Sequence, residues 1–153
     1  MTKIMPCLWF DDRVDEAVDF YTATFKDARI LSRVRQNATT PSSIAQLELA
    51  GHRFMLLNGG PRYAFTEAVS FVIDCADQQE VDYFWDAFVN SGGQESQCGW
   101  CKDRFGLSWQ VVPRQLYDTV AGSDPAGARR ATEAMFKMTR LIVADLQRAY
   151  AGN

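Results

Sequence analysis

Apolar residues recur at helical spacing in Val14, Ala17, Val18, Tyr21 and Phe25, and again in Val81, Phe84, Trp85, Phe88 and Val89. Each set predicts an amphipathic helix that turns one stripe to a core. Asp11 or Asp12 is placed to cap the first helix, and Asp77-Gln78-Gln79-Glu80 reads as a capping box for the second, which ends at Gly92-Gly93. Between them the period falls to two. A strand is predicted over about Lys3 to Phe10. Ile30, Ser32 and Val34 alternate with Arg29, Arg33 and Arg35 from Ala28 to Gln36, and further strands follow at about Ile44 to Ala50 and Phe54 to Asn58. After the breaker Asn58-Gly59-Gly60-Pro61, strands are predicted at Ala68 to Asp74, Gln94 to Cys101 and Leu107 to Val112.

The pattern repeats. Gly51, Phe54, Met55 and Leu56 fall on Gly106, Trp109, Gln110 and Val111, LWF before Asp11 matches FVI before Asp74, and each following helix carries an aromatic pair, Phe20-Tyr21 or Phe84-Trp85. The chain therefore reads as an α+β fold of tandem βαβββ modules, about 1–60 and 66–113, with the second shortened. Residues 114–153 form a helical extension. Asp124-Pro125 starts a helix, and Ala128, Ala131, Met135, Met138, Ile142 and Ala149 recur at helical spacing with a break near Thr139. That apolar stripe must be buried on the same domain or against a second subunit, so a homodimer is expected.

Composition narrows the partners. The 153 residues are 47% hydrophobic and 12% aromatic, enough for a well-packed core. A net charge of −3 offers no basic stripe, which argues against nucleic acid, and no apolar run is long enough to span a membrane. The N-terminus lacks the organisation of a secretory signal, and four cysteines in a chain with a good core suit a reducing compartment, so cytoplasmic residence with free thiols is expected.

Few residues carry obvious chemistry. Cys98-x-x-Cys101 lies in a strand leading into a turn, where structural thiols are the simpler reading and redox or metal work the alternative. His52, the one histidine, follows Gly51 in an exposed turn. Asp11, Asp12, Asp15, Glu16 and Asp19 cluster around a first helical turn and read as capping and dipole compensation.

Two such modules in tandem, with Phe20-Tyr21 near the end of the first helix and Asp103-x-x-Gly106 before the last strand, resemble the vicinal oxygen chelate superfamily of glyoxalase I, bleomycin-resistance proteins and extradiol dioxygenases. The segments PCLWFDDRVDEAVDFY, FMLLNGGP, VSFVIDCADQQEVDYFW and CGWCKDRFGLSWQVVP are similar to a bacterial, PhnB-like family labelled 3-demethylubiquinone 3-methyltransferase. The resemblance implies that each module curls its sheet into a cup, with metal ligands from first and last strands. The matching positions are near Pro6, Met55, Ser70 and Gln110, and none is His, Asp or Glu. A divalent metal is possible in such a fold, but its ligand set is absent, so no cofactor is expected. By strand parity, Ser108, Gln110 and Val112 line the cup while Trp109 packs on the helix layer. Arg53, Met55 and Leu57 share that face in the first module, and Ser70 and Val72 in the second. The candidate ligand pocket is therefore Arg53, Met55, Leu57, Ser70, Val72, Ser108 and Gln110, lined for an apolar small molecule with one polar or anionic end.

Four functions remain open, and whether the chain is an enzyme is among the open points. It is a small-molecule-binding protein or a metal-independent enzyme; a metal-dependent lyase, isomerase or dioxygenase, which needs donors such as Gln110, Glu48 or His52 to converge; a methyltransferase as the family label has it; or an interaction protein using its dimer surface. The methyltransferase reading lacks the strand, glycine-rich turn and helix of the usual S-adenosylmethionine site.

Overall fold

A computed structural model describes residues 3–153. The chain divides into two compact units, residues 1–65 and 66–153. The first runs β1 (Cys7–Phe10), α1 (Val14–Thr24), β2 (Arg29–Val34), β3 (Ile44–Leu49) and β4 (His52–Asn58). Its sheet has the order β1-β4-β3-β2, with β1 and β4 parallel and the other pairs antiparallel. The last strand of the module is thus inserted beside the first. Every apolar position predicted for the helix stripe, Val14, Ala17, Val18, Tyr21 and Phe25, is buried. They share the core with Leu8, Phe10, Ala45, Leu47, Leu49, Phe54 and Leu56, the alternate residues of β1, β3 and β4. A shift between Ile30 and Ser32 interrupts β2, and that edge strand leaves Ile30, Leu31 and Val34 exposed.

The α1 start corrects the expected cap. Its N-cap is Arg13, which makes no side-chain cap, and Asn58 Oδ1 at the end of β4 accepts the Val14 amide at 3.1 Å. Asn58 Nδ2 also donates to the Ser42 carbonyl at 2.9 Å. Asp15 likewise does more than balance the helix dipole. Its carboxylate accepts the Ser42 amide and hydroxyl at 2.8 and 2.7 Å and pairs with Arg33 and Arg35 at 3.0 and 3.1 Å. The long turn before β3 is tied to the helix by partners that sequence distance conceals.

The second unit repeats the order with β5 (Ser70–Cys75), α2 (Gln78–Val89), β6 (Gln94–Glu95), β7 (Trp100–Lys102) and β8 (Ser108–Pro113), then adds α3 (Gln115–Val120), α4 (Pro125–Met135) and α5 (Val143–Ala151). Its sheet order, β5-β8-β7-β6, copies the first. The single strand expected over 94–101 is instead two short strands separated by a turn, so the shortened module keeps all four strands. Cys98 therefore occupies that turn, with φ +57°, and only Cys101 is in a strand. The capping box forms: Asp77 Oδ1 accepts the Glu80 amide at 3.0 Å, and Glu80 Oε2 accepts the Ala76 amide at 2.6 Å.

Strand registers adjust the internal repeat. Cys7 faces Met55 in the first unit, whereas Val72 faces Gln110 in the second. With Met55 on Gln110, Leu8 matches Ile73 instead of Phe71. The predicted match of first strands is two residues out, and because strands have a period of two, the faces assigned by parity survive the slip.

The extension is three helices packed on the second unit. Asp124 caps α4 by accepting the Ala126 and Gly127 amides, with Pro125 at its first turn. Its deepest anchors are Leu141 and Leu146, which cluster with Val112 and Leu116; neither belongs to the predicted apolar stripe. The non-helical stretch between α4 and α5 is held from both sides. Cys98 and Gly99 amides donate to the Met138 and Thr139 carbonyls at 2.9 and 2.7 Å, and Arg140 pairs with Asp82 and Asp86 of α2. Gln78 donates to the Leu141 carbonyl and accepts the Val143 amide.

Partial burial raises the Asp15 carboxyl, but the Ser42 amide and hydroxyl and Arg35 outweigh it and hold the group at about 2, against an ordinary 3.8. A depressed carboxyl stabilises the fold above its unfolded pKa, and that contribution disappears as pH falls from about 4 to about 2. Urea unfolding across pH 2–7 should therefore show a steeper acid loss for the wild type than for Asp15→Asn, by about 1 kcal/mol after solvent screening. Parallel curves would remove Asp15 from the acid response.

Candidate functional site

Two helix-free sheet faces collect the predicted site residues, and each belongs to its own unit. On the first, register aligns three rows across the strands. Arg53, Glu48 and Arg29 form a charged row; Cys7, Met55, Gln46 and Ser32 a mixed row; and Trp9, Leu57, Ile44 and Val34 an apolar row. Arg53 lies 4.0 Å from Glu48, which already pairs with Arg29, so its charge is partly answered within the sheet. Met55 and Leu57 are half-buried. The apolar row continues into an aromatic pair: Trp9, which the sequence offers as core or ligand wall, donates to the Gly60 carbonyl at 2.8 Å and meets Tyr63, which it does not single out, edge-on at 5.1 Å. A Cβ at Gly59 would collide with the Trp9 indole, which explains the glycine there.

On the second face, Gln94, Lys102, Ser108 and Ser70 make one polar row. Trp100, Gln110 and Val72 make the next. Gln110 Nε2 donates to Ser70 Oγ at 2.9 Å, joining two of the predicted residues directly. Val72 is 55% exposed, while Ser108 is only 1% exposed and its hydroxyl has no hydrogen-bond partner. Val112, at the far end of β8, is covered by the C-terminal cluster. Beside the polar row lies a cavity of about 120 Å³ lined by Glu67, Gln94, Glu95, Ser96, Trp100, Cys101, Lys102 and Ser108. Of those, only Ser108 belongs to the predicted pocket. Trp100 and Cys101 are weighed in the sequence for other roles, and Glu67, Gln94, Glu95, Ser96 and Lys102 carry no sign there that they share a cavity.

The opposite side of β8 fixes these faces. Trp109 stacks on Phe88 of α2 with centroids 4.9 Å apart, and its indole Nε1 donates to Asp103 Oδ2 at 2.9 Å. Asp103 Oδ1 accepts the Phe105 and Leu107 amides, closing the turn in which Gly106 has φ +82°. Trp109 thus packs on the helix layer as parity required, and Gln110 turns the other way.

The donor set does not suit a divalent metal of the kind the superfamily uses. Pro6 precedes β1 and engages Met55 through its backbone carbonyl at 2.9 Å. Met55, Ser70 and Gln110 add a thioether, a hydroxyl and an amide, none of them anionic. Glu48 is committed to arginines, and His52 is exposed at the start of β4. Among the described residues no three His, Cys, Asp or Glu side chains gather as a metal site. All four cysteines are free; burial pushes the Cys75 and Cys101 thiols up to about 12, which makes both poor nucleophiles at neutral pH.

A putative 3-demethylubiquinone-9 3-methyltransferase, PhnB protein, from Bacillus cereus is 26% identical, with a TM-score of 0.66 over 73% of this chain and 99% of its own. Protein PA1353 from Pseudomonas aeruginosa is 18% identical, with a TM-score of 0.61 over 74% of this chain and 98% of its own. The manganese-complexed fosfomycin resistance protein FosX from Listeria monocytogenes shares the fold at 16% identity, with a TM-score of 0.52 over 71% of this chain and 90% of its own. No curated protein matches. The architecture is that of the vicinal oxygen chelate superfamily. Within it, residues 2–112 match the family described as 3-demethylubiquinone-9 3-methyltransferase, and the chain belongs to that family.

Replacing Asp103 with alanine leaves the Trp109 indole and two turn amides without their acceptor. The variant should lose about 3 kcal/mol in urea unfolding followed by tryptophan fluorescence. A loss under 1 kcal/mol would show that the stacking on Phe88 holds β8 unaided.

Proposed function

We propose that the protein binds a small molecule on the helix-free sheet faces, as a binding protein or as an enzyme that works without a metal. The observation that carries this reading is the neutral, partly unsatisfied polar set on the second face: Gln110 hydrogen-bonded to Ser70, beside the buried and unpartnered Ser108 hydroxyl. Buried polar groups are normally satisfied, and an orphan hydroxyl beside a cavity is a group that a ligand can complete. Arg53, Met55 and Leu57, with Trp9 next to them, give the first face a gradient from charge to hydrocarbon that suits a ligand with one anionic and one apolar end. Val72 adds apolar surface on the second face.

The family description names a methyltransferase. A parallel, doubly wound sheet with a glycine-rich turn between strand and helix is the usual cradle for S-adenosylmethionine. Among the described residues parallel pairing joins only β1 to β4 and β5 to β8, Gly59-Gly60 follows a strand with β5 as the next element, and Gly92-Gly93 follows a helix. These features favour binding or metal-independent chemistry over methyl transfer from that cofactor.

The reading includes two copies of the chain acting together in the cytoplasm, with neither nucleic acid nor a membrane as partner. The exposed apolar edge β2 and the exposed Tyr117 and Phe136 of the C-terminal extension supply surface for a second copy. No helix of the described residues is long and apolar enough to cross a membrane.

A metabolite screen by thermal shift, followed by calorimetry on the best hit, tests the central point. Gln110→Leu should weaken that hit at least tenfold while keeping the wild-type melting temperature of the free protein. A hit bound equally by the variant places the ligand elsewhere. Near-stoichiometric divalent metal in protein purified without chelator, measured by plasma mass spectrometry, would overturn the metal-independent reading. Light scattering on the eluting protein should give the mass of two chains.

A further inference from the structure

The cavity beside the polar row of the second sheet has a feature that the pocket residues above do not explain. Its one cationic wall group, Lys102 Nζ, lies 2.6 Å from Glu67 Oε1. Glu67 is in the irregular segment before β5, with its side chain 65% exposed, whereas the Lys102 side chain is 31% exposed. An exposed ion pair of this kind contributes at most about 1 kcal/mol, so the carboxylate is easily displaced. The lysine stays, fixed in β7 and paired in register with Ser108. Ser108 is a second and independent sign of a ligand, because its buried hydroxyl lines the same cavity without any partner.

We infer that this cavity is a carboxylate subsite: a small monocarboxylate replaces Glu67 on the Lys102 ammonium and accepts a hydrogen bond from the Ser108 hydroxyl. Glu67 is then a resident competitor that covers the lysine when no ligand is bound. The size agrees, since about 120 Å³ holds roughly four waters, enough for a carboxylate and a short stem but not for a whole drug-sized molecule. Glu95 lines the same cavity and repels a second negative charge, so a monoanion is preferred to inorganic phosphate. Trp100 supplies the apolar surface for the stem. The inference rests on the reading that the helix-free face takes a ligand, and it names the chemistry of one end of that ligand.

Sodium propionate titrated into the full chain, followed by amide chemical shifts in two-dimensional NMR, tests it. Saturable shifts centred on Lys102 and Ser108 are expected, with propionamide and phosphate each binding at least tenfold more weakly. Glu67→Gln should tighten propionate about fivefold, by removing the competitor. Lys102→Met should weaken it at least tenfold, while Lys102→Arg retains most of it; the spectra themselves report whether each variant is folded. The subsite is overturned if shifts do not saturate, if phosphate binds as well as propionate, or if Glu67→Gln binds no tighter than wild type. The two readings fail separately. Propionate binding at Ser108 with a screened ligand indifferent to Gln110→Leu sinks the wider face and leaves the subsite, and the reverse pattern sinks the subsite alone.

Discussion

Trp109 is where the second unit is committed. Its ring stacks on Phe88 and its indole nitrogen is answered by Asp103, whose other oxygen closes the preceding turn. A strand that slipped by one residue would bring Ser108 or Gln110 against α2 and leave an indole donor without its acceptor, so several unfavourable terms act together against any other register. With β8 held, Ser108 and Gln110 must face away from the helix, beside Ser70 of β5 and Lys102 of β7. The polar face is a consequence of packing on its opposite side.

The first unit achieves the same end with different chemistry. No buried aspartate closes its β3–β4 turn; there Ala50 and Gly51 adopt positive φ and make a tight reversal. The register instead follows from the alternate apolar residues Ala45, Leu47, Leu49, Phe54 and Leu56, all buried against α1. Asn58 then links the end of β4 to the start of α1, and Asp15 links α1 to the turn before β3. The duplicated fold has therefore diverged in its polar fastenings while keeping its apolar alternation.

Such divergence extends to the positions where the resemblance led us to look for metal ligands. The two sheets repeat one strand order and pairing, but the side chains at the compared positions are neutral, and the acidic groups nearby are engaged elsewhere: Glu48 with arginines, Asp103 with Trp109, Glu67 with Lys102. What the second face offers is hydrogen bonding and one movable ion pair. These are means of recognition.

Alternation and helical period determined, from the residues alone, the long strands of both sheets, both module helices and the placement of Trp109, because each depends on spacing along one segment. Parity even tolerated the two-residue error in matching the first strands. The α1 cap, the division of residues 94–101 into two strands, the anchoring of the extension by Leu141 and Leu146, and the cavity at Ser108 were decided by tertiary structure. Each joins groups tens of residues apart or turns on a short strand with too few residues to show a period. Asn58 gives no local sign that it will cap a helix 44 residues earlier. Glu67 gives none that it will cover Lys102, since only the folded sheet brings the two charges within reach.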